Sequence, residues 1–478
     1  MQRSINSQVG FAIVTQRQQK RDKILRTAFE VWGDTNFLST SLASIAERLD
    51  LSKPALYRYF SNKDELVAGM QAQFAEDYRR TAEAWMQWDA SAGLESVLAS
   101  VVRTVFEFLR HEPAYLGFFT EYLLRRAIMT ECCLLDSLPV EIRETLARQA
   151  KVLSSVLRPA SGGGSGAGSR PGNRDNGNGN GTGIGEAGNG AADTEQLLEY
   201  IGLATLYWCA SYYMSADMRP RRRGADDTPE AAGRHLDMVQ ELLLDGLWTR
   251  PEPPPAERLR AVEGTAWRDP GTVLTEDRVL AAVEAVVAEV GFSEATVERI
   301  AVHLGMTKSS LYFHFRNKRE MFGELLAREN ELFLDEYRRI RVALGDSREY
   351  LYAYAVLLAA FFAHNPGVFK VVNWLWSQSL EAVELPERYL QRVAEEFAYI
   401  EDEIAAGRLR SNEDGWMGVL GFFHVGGVIL FAHHLQAKAL DQRRLVDSAR
   451  GLYLLALYGL RGNLDAGDHD GSDRNGGV

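Results

Sequence analysis

The residues of this chain best suited to chemistry come in two matched sets. Lys53, Tyr57, Arg58, Tyr59 and Lys63 form the first, and Lys308, Tyr312, Phe313, His314 and Lys318 the second. Ammonium groups and phenols at these spacings suit recognition rather than bond making. Lysine and arginine neutralise phosphates, while hydroxyl and aromatic side chains reach base edges. Catalytic patterns are missing: the sequence holds no His-Glu-x-x-His, no Cys-x-x-Cys and no Gly-x-Ser-x-Gly. No catalytic residue, metal site or cofactor is therefore expected.

The two sets sit on the same frame. A step of 255 positions from the first set lands on the second without gaps: residues 36–66 read NFLSTSLASIAERLDLSKPALYRYFSNKDEL and residues 291–321 read GFSEATVERIAVHLGMTKSSLYFHFRNKREM. The shared letters include exposed positions such as Lys53 and Lys308, Tyr57 and Tyr312, and Lys63 and Lys318, which no core requires. A period this long marks duplication of a whole domain, not a solenoid.

In the first copy Leu42, Ile45, Ala46 and Leu49 fall on one face of a short helix. Asp50 and Leu51 make the turn, Ser52 caps the next helix, and Pro54 fits its first turn, where backbone N–H groups lack partners. Leu56 and Phe60 point to the core, leaving Lys53, Ala55, Tyr57 and Arg58 outside. The second copy repeats this with Val297, Ile300, Ala301 and Leu304 as the core face and Thr307 as the cap. Gly305 supplies the left-handed turn residue, a role that Asp50 tolerates less easily. Lys308, Ser309, Ser310, Tyr312 and Phe313 take its exposed positions. Asn62 and Asn317 cap the following helix, with Glu65 and Glu320 at capping-box spacing. Lys63 and Lys318, at that helix's first position, are suited to clamp a phosphate.

This pattern resembles the TetR/AcrR family of bacterial repressors over about 45 residues in each copy. The resemblance implies an all-α chain of two tandem units. Each unit has a three-helix DNA-binding domain and a larger helical domain that binds a small ligand and dimerises. It places Thr40, Ser41, Ser52, Lys53, Pro54, Ala55, Tyr57, Arg58, Tyr59 and Lys63 at DNA in the first copy. In the second it places Thr296, Thr307, Lys308, Ser309, Ser310, Tyr312, Phe313, His314 and Lys318 there. The departures are Asn36 where the family has glycine, Ala295 where the first copy has Thr40, and Phe313 at an exposed position.

Composition sets the remaining bounds. Hydrophobic residues make up 46% of the 478-residue chain and charged residues 25%, a globular balance. A net charge of −12 argues against coating nucleic acid or anionic membrane with the whole surface. Three cysteines, with Cys132 and Cys133 adjacent and Cys209 alone, fit a reducing cytoplasm. No secretory leader is evident, and the most apolar stretch, GVLGFFHVGGVILFAHHLQ, reads as a buried core helix rather than a span.

The expected organisation is a first helix-turn-helix domain at 18–78 (motif 41–60), its helical domain at 79–248, a connector at 249–272, a second helix-turn-helix domain at 273–333 (motif 296–315), its helical domain at 334–464 and a tail at 465–478. Residues 160–192, with 13 glycines and 5 asparagines, should be disordered. The Gly-x-Gly-x-x-Gly at 183–188 falls inside that tract with no strand before it, so it is not a nucleotide loop. The connector, rich in proline, reads as semi-rigid.

Two expectations concern how the modules work. The first carries nine Lys/Arg against seven Asp/Glu over residues 16–66, and the second six against seven over 273–323, so the first should bind DNA more strongly. Its lead-in, Arg17, Lys20, Arg21, Lys23 and Arg26, adds to the difference. The chain is expected to act either as a pseudo-dimer, through segments 194–214 and 231–248 against 415–435 and 445–462, or as a homodimer. In the alternative, the second module is degenerate and serves ligand sensing or dimerisation. Phe118, Phe119, Tyr122, Tyr207, Trp208, Tyr212, Tyr213, Phe361, Phe362, His364, Trp374, Trp376, Phe423 and His424 are candidates to line pockets for a small apolar effector. The partner is double-stranded operator DNA, with no membrane.

Overall fold

The computed structural model describes residues 17–31, 41–112, 114–119, 138–157, 190–213, 228–250, 252–271, 278–290, 295–312, 318–369, 385–436 and 440–469. Among these the chain is all-α, and the only extended pairing is a single antiparallel bridge between Trp248 and Leu409. Two compact units emerge: Met1–Met86 with Phe106–Arg148, and Gln87–Val105 with Gln149–Val478. The division does not fall at the connector. Residues 149–248 of the first half share a unit with the whole second half.

Unit 1 holds α1 (17–31), α2 (Leu42–Arg48), α3 (Lys53–Tyr57), α4 (Lys63–Trp85), the end of α5 (Gly93–His111), α6 (Ala114–Phe118) and the start of α7 (Val140–Leu157). Its core is aromatic. Phe29 meets Tyr115 edge-on at 4.9 Å and Phe118 at 5.2 Å, Phe74 meets Phe108 at 5.0 Å, and Phe108 stacks on Tyr115. Such pairs add about 0.5–1.5 kcal/mol each beyond the area they bury. The one polar group in the cluster is satisfied: the Tyr115 hydroxyl donates to Asp77 Oδ2 at 2.5 Å. Burial, then Asp77, push that phenol's pKa well above the usual value.

Unit 2 holds α8 (Gly190–Ser211), α9 (Pro229–Asp245), α10 (Ala256–Ala266), α11 (Arg278–Val290), α12 (Val297–His303), α13 (Lys308–Tyr312), α14 (Lys318–Ala343), α15 (Ser347–His364), α16 (Glu387–Ala405), α17 (Trp416–Gln436) and α18 (Gln442–His469), which kinks at Gly459. Helix α15 is apolar nearly all round, as a fully enclosed helix must be. Helices α10, α14, α16, α17 and α18 surround it. The stretch Trp416–Leu435 is long and apolar enough to cross a membrane. Within unit 2 it packs against α8, α15, α16 and α18.

Helices from the two halves of the sequence pack together here. Helix α8 lies on α17 and α18, and α9 lies on α18. Tyrosines of α8 press on glycines of the partner helices, where the missing Cβ leaves room for a ring. A Cβ on Gly451 would lie 2.3 Å from the Tyr200 ring, and one on Gly421 2.5 Å from the Tyr207 hydroxyl. The same hydroxyls are satisfied, Tyr200 donating to the Ser448 carbonyl at 3.1 Å and Tyr207 to that of Gly418 at 2.9 Å. Trp208 stacks on Phe422 at 5.5 Å. Polar contacts continue along α9: Arg410 Nη1 donates to the carbonyls of Gly246 and Trp248, and Arg461 pairs with Asp245 at 2.7 Å and with Glu95.

Two details of the segments between modules go beyond the sequence reading. The connector, read as semi-rigid, holds a helix, since Ala256–Ala266 form α10. Leu259, Val262 and Ala266 are buried, at positions i, i+3 and i+7, where α10 lies on α14 and α15. Arg258 forks onto the buried carboxylate of Glu349 at 2.5 and 3.0 Å, and Glu263 accepts from Tyr352 at 2.5 Å and from Arg450 at 2.7 Å. The other detail concerns the Gly/Asn tract. Residues 190–192 open α8 instead of belonging to a disordered insert, while 160–189 lie outside the described residues, as do 470–478 of the tail and Cys132 and Cys133.

Candidate nucleic-acid interface

In the first module the Ser41 hydroxyl accepts from the Ser44 N–H at 3.1 Å, and Ser44 reaches back to the Ser41 N–H at 3.0 Å. This capping box starts α2. Helix α2 ends in a Schellman turn: Leu51 N–H donates to the Ala46 carbonyl at 2.8 Å and Asp50 N–H to that of Glu47 at 3.1 Å. The turn forces Asp50 to a φ of 53°, the one positive φ outside glycine among the described residues. Helix α3 starts at once, with the Ser52 hydroxyl accepting from Ala55 N–H at 3.3 Å and Pro54 in the first turn.

Leu56 and Phe60 are fully buried, which turns Lys53, Pro54, Tyr57 and Arg58 to solvent and leaves Ala55 and Tyr59 half-buried. Tyr57 keeps 43% of its surface exposed. Asn62 caps α4 by accepting from Glu65 N–H at 2.8 Å. The Glu65 carboxylate reaches one residue further back than the capping-box reading expected, accepting from the N–H and hydroxyl of Ser61, both at 2.7 Å. Lys63, first in α4, is half-buried, and burial lowers its pKa below the usual lysine value.

One contact was not visible in the sequence. Arg21 counted as lead-in charge, but its guanidinium lies over the Phe60 ring at 4.2 Å. It donates to the Tyr59 carbonyl at 2.8 Å and sits 3.6 Å from Glu65. It ties α1 to the turn that follows α3. Only the chain fold, not periodicity, reveals that neighbourhood. Arg17, Lys20, Lys23 and Arg26 remain exposed.

The second module has the same backbone plan. Thr296 caps α12 through Arg299 N–H at 3.3 Å, and Thr307 caps α13 through Ser310 N–H at 3.0 Å. Its turn repeats the first, with Met306 N–H to the Ala301 carbonyl at 2.9 Å and Gly305 at a φ of 68°. Ala295 is buried. Lys308, Ser309 and Ser310 are exposed, but the Lys308 ammonium is held by the Glu298 carboxylate. Thr40, Phe313, His314 and Asn317 lie outside the described residues, as do the side chains of Tyr312 and Lys318.

Among the described residues the pocket candidates fall in both halves of the sequence. Phe118 sits in the aromatic core of unit 1, with Phe119 half-buried beside it in sequence. Tyr207 and Trp208 face α17, while Tyr212 and Tyr213 meet each other at 5.1 Å. Phe361, Phe362 and Phe423 are buried in the second half, and His424 Nδ1 lies 2.8 Å from the Tyr354 hydroxyl. His364 is exposed, its Nδ1 on the Ala360 carbonyl. Tyr122, Trp374 and Trp376 lie outside the described residues.

Comparison with known proteins places the same two stretches in one family. The family described as bacterial regulatory proteins, tetR family, matches residues 24–70 and again residues 279–325. The nucleoid occlusion factor SlmA of Vibrio vulnificus is 30% identical over 83 residues, 17% of this chain and 42% of that protein. The HTH-type transcriptional repressor BepR of Brucella suis is 35% identical over 54 residues, 11% of this chain and 26% of that protein. The chain thus spans less than half the length of these relatives. Two capped helix-turn-helix frames, each matched separately, make residues 24–70 and 279–325 two tetR-type stretches in one chain.

Proposed function

We propose that the chain is a ligand-responsive repressor that folds on itself as a pseudo-dimer and reads an operator with two unlike half-sites. The observation that carries this reading is the packing of α8 and α9 on α17 and α18. It joins the last helices of one half to those of the other, as a two-fold dimer would join two chains. The exposed faces differ, Lys-Pro-Ala-Leu-Tyr-Arg-Tyr against Lys-Ser-Ser-Leu-Tyr-Phe-His. Unlike faces select unlike bases, and the two sites would stand about 34–36 Å apart, one turn of DNA. Repression accords with the printed function of the Brucella relative. The effector is a small apolar molecule, drawn to the aromatic side chains that fill both halves, and the site of action is the cytoplasm, where the DNA is.

Selection of bound duplexes from a random pool with the full-length chain, followed by measurement of stoichiometry, tests the proposal. An asymmetric site bound by one chain is the expected result. A palindrome bound by two chains overturns it in favour of a dimer of tandem chains.

A second reading has its own support in the Lys308–Glu298 pair. Here the first module alone contacts DNA and the second serves sensing or dimerisation. Operator binding unchanged by joint substitution of Lys308 and Tyr312 with alanine would establish it.

A further inference from the structure

The two modules differ at one position that bears directly on the recognition helix. Ten residues before the recognition lysine the second module has Glu298, and the first has Ala43. Glu298 lies in the first turn of α12, and its carboxylate accepts from Lys308 Nζ at the start of α13. Both side chains are more than half exposed, 56% and 54%. Lys308 is the strongest influence holding that carboxyl below the usual glutamate range, and the Thr296 hydroxyl also contributes. Ala43 is exposed at the matching place and has no group that could hold Lys53. Among the described residues Lys53 makes no ion pair.

We infer that Glu298 is a specificity-determining residue: it holds the Lys308 ammonium away from DNA and so sets the second module as the weaker and more salt-tolerant of the two readers. This inference rests on the reading that the second module contacts DNA. An exposed pair of this kind is weak, so a phosphate or a base edge can displace the carboxylate. Displacement is not free, however. The carboxylate stays beside the phosphates it has lost to, and one lysine delivers less than its full neutralisation. The first module carries no such penalty, because alanine leaves its lysine available. Glu298 therefore grades two copies of one fold without altering either backbone.

The test uses the full-length chain on the duplex it selects, with affinity measured across a salt series. Glu298→Gln keeps the shape of the side chain and removes its charge, and at an exposed position it leaves the melting curve unchanged. The expected result is binding tighter by about fivefold, with the slope of log K against log salt steeper by about 0.9, the mark of one more phosphate neutralised. Adding Lys308→Ala to that variant should cancel both gains. Ala43→Glu should weaken the first module by a similar factor. Three results overturn the inference. If Lys308→Ala weakens binding but Glu298→Gln changes nothing, the pair is irrelevant while the two-site reading stands. If the gain survives Lys308→Ala, simple repulsion is at work and not the hold on lysine. If neither variant changes binding, Lys308 does not touch DNA and the inference falls, while joint substitution of Lys308 and Tyr312 decides the two-site reading.

Discussion

Gly246 and Gly459 face each other backbone to backbone, Gly246 just after the end of α9 and Gly459 at the kink of α18. Gly246 has a φ of +76° and Gly459 of +62°. A Cβ on Gly246 would lie 2.2 Å from the Leu457 carbonyl oxygen, and a Cβ on Gly459 2.3 Å from that of Leu244. The contact is reciprocal: each glycine abuts the residue two before the other. Leu244-Asp-Gly-Leu247 and Leu457-Tyr-Gly-Leu460 repeat the same pattern, and the N–H groups of Leu247 and Trp248 donate to the carbonyls of Ala456 and Leu457, both at 2.8 Å. Residue i touching j while j touches i is what an isologous interface produces. Here both surfaces belong to one chain.

Alanine at either glycine should therefore be costly. Each substitution meets a backbone oxygen that cannot rotate away and also demands a left-handed conformation, which together should cost about 3 kcal/mol or more. Gly233→Ala on α9 is the control, because a Cβ there meets nothing within 4 Å and alanine favours helix by about 0.8–1.0 kcal/mol. Denaturant unfolding should rank the three variants with Gly233→Ala above the parent and the other two well below. Equal midpoints for Gly246→Ala and the parent would remove this junction as a stabilising element.

The turn of the two modules offers a second contrast. Asp50 and Gly305 hold the same position at φ 53° and 68°, but only glycine adopts it without a Cβ penalty. Asp50→Gly should stabilise the first module by up to about 1 kcal/mol, and Gly305→Ala should cost the second roughly 1–2 kcal/mol. Protection of the α2 and α12 amides from exchange reads each module separately. Opposite signs are expected, and the same sign in both would sink the argument.

How much of this was legible follows from the range of each interaction. The faces of α2 and α12, the caps Ser52 and Thr307, and the demand on Asp50 are settled within one or two turns of chain, and sequence reasoning found them. Arg21 on Phe60 joins α1 to the turn after α3, and Glu298 on Lys308 joins α12 to α13; no periodicity connects them. The glycine junction escaped for another reason. Its two Leu-x-Gly-Leu motifs are not 255 residues apart, because the Gly/Asn tract lengthens the first half. Helix α10 was readable in principle: Leu259, Val262 and Ala266 keep helical spacing, but the prolines just before them suggested a connector, although Pro255 directly precedes the helix.

On DNA, the lysines of the first module should separate by role. On the proposed reading, Lys63, half-buried at the start of α4, meets phosphate and not bases. Lys63→Ala should weaken all duplexes similarly and lower the salt slope by about 0.9. Lys53→Ala and Tyr57→Ala act on the exposed face of α3 and should instead relax preference at particular base pairs, by about 1–3 kcal/mol between right and wrong bases. Competition between selected and scrambled duplexes measures the difference. If Lys63→Ala changed the preferred sequence, the assignment of roles would be reversed.

Acid should act on the second half through His424. Its ring is buried on α17 with Nδ1 at 2.8 Å from the Tyr354 hydroxyl of α15, and burial lowers its pKa from 6.5 to about 4. The unfolded chain binds a proton at this residue below about pH 6.5, whereas the folded chain resists until about pH 4. Between those values the unfolded state holds more protons, so stability falls as the pH drops through this window and is regained as it rises. The full loss from this one group is roughly 3 kcal/mol. His424→Asn keeps a polar side chain near Tyr354 but cannot titrate. The difference in unfolding free energy between parent and variant should therefore change by that amount from pH 7 to pH 4, with the parent losing more. Parallel curves over the whole range would show that His424 takes up its proton equally well in both states, and that its burial does not make the fold sensitive to acid.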